Sequence, residues 1–435
     1  MTRLIRFTFG AAAAAASALG AAPVRAQVAC DSLPNPIIVT GSIAFEPVLK
    51  QFAVRLAAES PPATIISVGL FSQSTSCAGV ESVVNGRDFG GLPGRFYTLS
   101  ATGGTSGAGG AGGAGGAGGG TIINNTCTFA AGQTAHVAIS DVFYESCSNV
   151  AQPRPADIAD VQGPVQTAVF ITPTTNITKF QYLKHEEART IYGCGVSSTR
   201  VVAGFFSNPE GVFCLGPDSG TQVTVARNLG LSESLLTTPR CLLKASDAKM
   251  AADLIPRPQP PCVPGDSVCN PPAASIGFVS AGELDANRGA FDLLAFQAPG
   301  QTQAFYPDSG PTVRDRKNVR DGHYPLWGYL HLIAKTAGGS LGPQASEFIG
   351  WINATKTSPR IDGIGLTAAA GLTPHCAMKV QRSSDGGLIS PYSPPETCNC
   401  SAEASLTRTV MASCTPCASN SGCPCGLSCR HGFCE

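Results

Sequence analysis

The chain has 435 residues, 43% of them hydrophobic and 13% charged, with 29 basic residues balancing 29 acidic ones. That length allows a sizeable core and more than one folding unit. The neutral balance offers no basic stripe and excludes nucleic acid as a partner. Beyond the N-terminal segment, no stretch reaches the roughly 18 to 20 apolar residues of a membrane span.

Arg3 and Arg6 precede an apolar run from Phe7 to Ala22, and Val24-Arg25-Ala26 provides a cleavage junction, so residues 1–26 read as a signal peptide. Losing Arg3, Arg6 and Arg25 lowers the 29 basic residues to 26 against 29 acidic ones, a net −3. Cys30 lies close behind the junction, which raises lipid anchoring as an alternative, although Gln27-Val28-Ala29 lacks the leucine of a lipoprotein box. All 18 cysteines follow the junction, and an even number in an exported chain implies disulfides. The expected location is the periplasm, the cell surface or the exterior.

Pro36 to Thr40 reads as a buried strand, and Gly41-Ser42 then opens a helix with Phe45, Val48, Leu49, Phe52 and Leu56 at helical spacing. Pro47 falls in its first turn, where proline costs least. Ile65 to Leu70 is a second strand, followed by Ser72-Gln-Ser-Thr-Ser76 and a short helix carrying Val80, Val83 and Val84. Residues 103–120 are nearly pure glycine and alanine and form a tether or surface insertion. A phosphate loop is rejected there, because no lysine follows the glycines.

Strands resume over Ile122 to Phe129 and Ala135 to Ile139, the latter leading to Ser140-Asp141. Gln166 to Thr172 is an apolar strand, His185 to Tyr192 a short helix, and Val201 to Phe206 and Val212 to Leu215 are strands. Asp218-Ser-Gly-Thr221 then enters another helix carrying Val223, Val225 and Leu229, a terminus suited to an anion, though such tripeptides also make ordinary caps. Pro256 to Pro272 is a proline-rich loop holding Cys262 and Cys269. Ser275 to Val279, Phe291 to Phe296 and Tyr324 to Ile333 are strands, and Phe348 to Asn353 is a short helix bearing Trp351. Strands alternating with helices predict an α/β body.

The tail differs in kind. Six cysteines from Cys414 to Cys434 occupy 21 residues with few large apolar side chains, so disulfides must replace a core. Zinc is the alternative, from the spacing of Cys414-Thr-Pro-Cys417. Cys376, Cys398 and Cys400 are expected to bond within or near the main body.

Catalytic signatures are weak. His185-Glu186-Glu187 lacks the second histidine of a zinc-protease helix, no Gly-x-Ser-x-Gly elbow occurs, and His136, His323, His331 and His375 are scattered single residues. No enzyme, cofactor or metal is expected. Asn124, Asn176 and Asn353 begin Asn-x-Thr sequons.

Taken in order, Thr40-Gly-Ser-Ile-Ala-Phe-Glu-Pro47, Ser76-Cys-Ala-Gly-Val80, Ala138-Ile-Ser-Asp141 and Asp218-Ser-Gly-Thr221 resemble the ligand-binding stations of the phosphate-binding receptors of ABC transporters, which are type II periplasmic binding proteins. Gly163 to Thr172, Ala274 to Val279 and Tyr324 to Ile333 resemble the crossing and second-lobe strands of that family. The resemblance implies a two-lobed α/β fold with a ligand cleft between the lobes. Lobe one would comprise 36–165 and 323–400, interrupted by 103–120; lobe two would be 166–322 and the disulfide-stapled tail 401–435.

It also implies ligand contacts from Ser42, Ile43, Ser76, Asp141, Ser219, Gly220 and Thr221, with Asp141 accepting a hydrogen bond from a protonated anion. The implied partners are phosphate or a similar oxyanion and an ABC transporter permease, for a monomeric receptor. Leu215-Gly216-Pro217 stands where the family carries an arginine, and Ile43 stands where a threonine donor is common. These departures sustain an alternative, a secreted or surface protein that keeps the fold for a structural or interaction role without tight phosphate binding.

Overall fold

The computed structural model describes residues 28–42, 45–68, 76–100, 120–174, 181–194, 211–216, 219–238, 240–255, 275–424 and 426–435. In chain order, β1 (Val28–Ala29), β2 (Pro36–Gly41), α1 (Glu46–Leu56), β3 (Thr64–Val68), α2 (Ser76–Val84), β4 (Pro93–Leu99), β5 (Ile122–Thr128) and β6 (Val137–Ser140) build the first unit. The chain then crosses on the 16-residue β7 (Ile158–Pro173). Beyond it lie β8 (Tyr182–Lys184), α3 (His185–Cys194), β9 (Phe213–Leu215), α4 (Gly220–Asn228), β10 (Leu242–Lys244) and α5 (Asp247–Leu254). These are followed by β11 (Gly277–Ser280), α6 (Ala281–Ala286), β12 (Phe291–Leu293), β13 (Ala295–Gln297) and α7 (Lys317–Arg320). Next, β14 (Trp327–Ala337) returns to the first unit, followed by β15 (Ser340–Leu341), α8 (Pro343–Ile352) and α9 (Gly363–Ala369). Then β16 (Val380–Gln381), β17 (Ser390–Pro391), α10 (Asn399–Thr407), β18 (Cys429–Arg430) and β19 (Phe433–Cys434) end the order.

The principal sheet runs β1-β5-β4-β3-β2-β6-β14-β7-β11, with β12 also on β7 and β15 on β14. Strand β2 pairs in parallel with β3 and β6, whereas β14 runs antiparallel to both β6 and β7. The first part of β7 pairs with β14 from Ile158 to Thr167; its remainder pairs with β11 and β12, carrying one sheet from one core into the next.

Period-two alternation explains how the first sheet is covered on both faces. Ile37, Val39, Ile65, Val137 and Ile139 face a core with Val48, Phe52, Phe348 and Trp351 from α1 and α8. Their neighbours Ile38, Ile66, Val68 and Ala138 face the opposite core with Val80 and Val83 of α2. A third core gathers Val169 and Phe170 of β7 with α3, α4, α5 and the start of β14. The fold is thus a mixed α/β architecture with a large sheet, and its two lobes are joined by crossing strands.

Several local expectations shift. Ser42 does not open a helix directly: β2 ends at Gly41, α1 begins at Glu46, and residues 43–44 lie outside the described residues. The crossing strand is longer than its apolar stretch, because Ile158 to Gln162 extend it against β14. The return strand begins at Trp327, three residues after Tyr324, which follows Gly322 at φ 82°. The segments 201–206 and 256–272, the sequon at Asn176 and most of the glycine-rich insertion fall outside the described residues.

Among the described residues, seven disulfides are formed. Cys30–Cys127 and Cys77–Cys147 brace lobe one, and Cys214–Cys241 braces lobe two. Cys376–Cys398, Cys400–Cys414, Cys417–Cys429 and Cys423–Cys434 follow toward the C-terminus. Cys414 and Cys417 therefore belong to two different disulfides, which removes the zinc-pair reading of their spacing. The tail folds back on the body: the Glu435 carboxylate accepts hydrogen bonds from the backbone N–H groups of Asn399 at 2.7 Å and Cys400 at 2.6 Å, at the start of α10. A carboxylate suits that helix end.

Candidate functional site

The parallel strands β2 and β6 end side by side, and the chain turns out of both at their C-terminal ends, where α/β sheets place ligand sites. Two glycines make the junction tight. A Cβ on Gly41 would lie 2.0 Å from the Ile139 carbonyl oxygen, and one on Gly79 would lie 2.5 Å from the Gly41 Cα. Without side chains at both positions, α2 seats directly on the end of β2 and brings its first residue, Ser76, to Asp141.

Asp141 is the centre of the group and is only 4% exposed. Its Oδ2 accepts hydrogen bonds from the Ser42 hydroxyl at 2.6 Å and the Ser76 hydroxyl at 3.1 Å. The Ser76 oxygen in turn accepts from the Asp141 backbone N–H at 3.1 Å. The other carboxylate oxygen, Oδ1, is buried and has no hydrogen-bond partner among the described residues.

Burial pushes the Asp141 carboxyl up to about 6, against the lowering effect of the two serine hydroxyls; nearby Asp247 raises it further and His331 lowers it. Lobe two supplies the opposite wall. Ser219 is the N-cap of α4 and accepts from the Gln222 N–H at 3.5 Å, so the expected cap is present. Gly220 then abuts Asp141, since a Cβ built on it would lie 2.0 Å from the Asp141 Cβ. The adjacent Thr221 hydroxyl accepts from the Gln166 side-chain amide at 3.1 Å and donates to Asp247 Oδ2 at 3.4 Å. Asp247 also accepts from the Ser280 N–H at 2.8 Å, and burial raises its carboxyl above the usual range.

Of the seven expected site residues, Ser42, Ser76 and Asp141 form one hydrogen-bonded group, and Gly220 touches it. Thr221 belongs to the neighbouring Gln166–Asp247 chain, and Ser219 caps its helix. Ile43 lies outside the described residues.

The stretch where the sequence resemblance would have an arginine is apolar core: Leu215 is 1% exposed and packs with Val212, Phe213 and Cys214. Arg227 does not replace that arginine, because its Nε pairs with Glu233 at 2.5 Å on the surface. The cationic candidate nearest in kind is His331. It is fully buried on β14 with Nδ1 2.6 Å from Asp160 Oδ1, and a positive charge there would lower the carboxyls of Asp141 and Asp385.

Asp385 is a participant that sequence reasoning missed. Its Oδ2 accepts from the Phe143 N–H at 3.1 Å and the Ser146 hydroxyl at 2.6 Å, just beyond Asp141, and burial raises its carboxyl. No periodicity or spacing connects position 385 to positions 141–146.

No family model matches the chain, and no curated protein matches it in sequence. Solved structures give partial overlaps. An ABC-type phosphate transport receptor from Vibrio cholerae is 13% identical with a TM-score of 0.45, over 78% of this chain and 99% of that one. A substrate-binding protein of a putative phosphate ABC transporter from Clostridium perfringens, solved with bound phosphate, has the same identity, TM-score and coverage. The reduced OxyR regulatory domain from Pseudomonas aeruginosa is 10% identical with a TM-score of 0.35, over 73% of this chain and 95% of that one.

Among the described residues, no helix is long and apolar enough to cross a membrane. What the site can do chemically follows from its groups alone: two hydroxyl donors hold Oδ2 of a buried carboxylate, the same oxygen lies against the Gly220 start of α4, and Oδ1 is buried without a partner among the described residues.

Proposed function

We propose that this protein is an exported solute-binding protein for phosphate or a related protonated oxyanion, which it holds between its lobes. The observation that supports the reading is the buried Asp141 carboxylate, whose Oδ1 has no partner among the described residues and whose Oδ2 meets Ser76 of α2 and the Gly220 start of α4. A buried acceptor without a donor is costly. A ligand O–H would supply the donor, and helix N-termini favour the ligand's negative charge. A fully deprotonated oxyanion meets the Asp141 charge instead and is disfavoured. Ser42, Ser76, Asp141, Gly220 and Thr221 would make the contacts, and Ile43 would contribute its backbone. The seven disulfides among the described residues agree with an oxidising compartment. An ABC transporter permease would receive the ligand.

The test is calorimetric titration of dialysed protein with inorganic phosphate and with sulfate. Saturable phosphate binding that is abolished by D141A, with sulfate weaker, supports the proposal; no heat and no thermal shift up to millimolar phosphate overturns it.

One observation favours a second reading, an interaction protein that retains the fold. The Ser42 and Ser76 hydroxyls are both engaged by Asp141, and Gly220 already rests against that carboxylate. A phosphate-silent protein with unchanged folding would fit this alternative.

A further inference from the structure

The hairpin formed by β16 and β17 lies outside the candidate site, yet its tip reaches both walls of it. Its base is fixed to the lobe-two end of the return crossing. The Lys379 N–H donates to the Arg320 carbonyl at 3.0 Å, and Val380 packs on Gly322, where a Cβ would lie 2.9 Å from its side chain. The Cys376–Cys398 disulfide closes the loop that contains the hairpin.

At the tip, Arg382 is 2% exposed and lies with its guanidinium carbon 4.0 Å from the Trp327 ring centroid. Its Nη1 donates to Asn228 Oδ1 at 3.1 Å, at the end of α4, and its Nη2 donates to the Pro325 carbonyl at 2.9 Å. Gly386 adopts φ +66°, and a Cβ there would lie 2.5 Å from the Arg227 carbonyl oxygen, so its backbone lies flat on the last turn of α4. Between these contacts, Asp385 turns the other way and binds Phe143 and Ser146 of lobe one. Residues 382–386 thus bridge the helix that carries Gly220 and the turn that follows Asp141.

We infer that this tip is a latch that holds the two lobes closed. Closure presses Gly220 against a buried carboxylate that lacks a cationic partner among its hydrogen-bond contacts, an arrangement that favours opening when the carboxylate is ionised. The Asp385 and Arg382 hydrogen bonds, each involving a charged group, oppose it. Opening the lobes requires the tip to release either Phe143 and Ser146 or Asn228. The inference stands independently of the proposed ligand.

A cut made after folding tests it. Leu388 is 94% exposed, so a specific protease sequence inserted between Gly387 and Leu388 can be cleaved in the folded full-length chain, while Cys376–Cys398 keeps the pieces joined. Hydrogen exchange is then followed without added phosphate, beside the uncut protein and the D385N and G386V variants. Release of the latch should accelerate exchange together in residues 143–147 and in α4, by at least about tenfold, while β2, β3 and β6 keep their protection. Small-angle scattering should show a larger radius of gyration. Unchanged protection in both segments of the cut protein, or acceleration confined to 382–387, overturns the latch. The cut arm decides even if a variant fails to fold.

Discussion

Two buried charge clusters in this molecule are built on opposite principles. In lobe two, Arg316 is fully buried; its Nη1 meets Asp308 at 2.7 Å, and its Nη2 pairs with Asp285. Arg288 completes the knot at 2.6 Å from Asp285 and 2.9 Å from Asp308. Burial by itself lowers the pKa of Arg316, yet Asp308 and Asp285 more than reverse this and raise it above its ordinary value. At the candidate site Asp141 is buried to a similar degree, but its side-chain hydrogen-bond partners are serine hydroxyls and burial raises its pKa to about 6. The first cluster uses opposite charge to hold α6 and the 308–316 loop together. The second keeps a carboxylate in an environment that makes its charge unfavourable, a pattern that stability alone does not call for and that ligand sites often show.

The largest test of this contrast breaks the paired cluster. R316M removes one guanidinium and leaves Asp308, whose side chain is 0% exposed, with less compensation. Breaking a buried pair from one side costs about 3–5 kcal/mol, and Arg288 keeps the expected loss near the lower end. Urea unfolding would show it as a lower midpoint with an unchanged slope. A loss under about 1 kcal/mol would mean that the knot is not the structural device described.

The second test reverses the sign. For Asp141 the folded-state value of about 6 lies above the unfolded value of about 3.9. Its favourable contribution is therefore present below the unfolded value and is lost as pH rises through 6. Two units correspond to about 3 kcal/mol of lost stability at neutral pH. D141N removes that loss while keeping the shape, so at pH 7.5 the variant should be more stable than the parent by about 2–3 kcal/mol. The gap should close as pH approaches 4. A variant less stable than the parent at pH 7.5 would show that Asp141 is compensated and would erase the contrast with the arginine knot.

How much of this was legible in the sequence depends on the kind of contact. The alternation of Ile37, Ile38 and Val39, and of Ile65 and Ile66, fixed two strands covered on both faces, and the hydroxyl residues after them marked where chains leave the sheet. Ser42, Ser76 and Asp141 were within reach of reasoning because each follows or begins a regular element whose ends parallel pairing brings together. Strand β4 was overlooked, since Pro93-Gly94-Arg95 opens it with turn-forming residues and its pairing with β3 and β5 supplies the order that local preference does not. Asp385 had no local signal at all. Its role rests on a hydrogen bond spanning 242 residues, and Ser-Ser-Asp-Gly-Gly reads as an ordinary surface turn. Leu215 was legible in the opposite sense: its apolar side chain announced a missing cation, and the structure places it in the core.

The smallest effect is also the most discriminating, because it asks what the serines do for Asp141. Ser76 donates to Oδ2 at 3.1 Å and receives the Asp141 N–H at the same distance, so S76A deletes both interactions at once. A hydrogen bond to a charged group contributes about 1.5–3 kcal/mol, and one to a neutral group about 0.5–1.5 kcal/mol. S76A should therefore destabilise the protein by about 2 kcal/mol at pH 7.5, where the carboxylate is ionised, and by about 1 kcal/mol at pH 4.5, where it is largely protonated. Losing a donor to the charged form also raises the Asp141 pKa further. In the D141N background the pH dependence should disappear, leaving the neutral cost at both pH values. A double-mutant cycle measured at the two pH values isolates that coupling. If S76A costs the same at both, the hydroxyl acts through packing at the α2 terminus, and the carboxylate is stabilised by other neighbours such as the Ser42 hydroxyl instead.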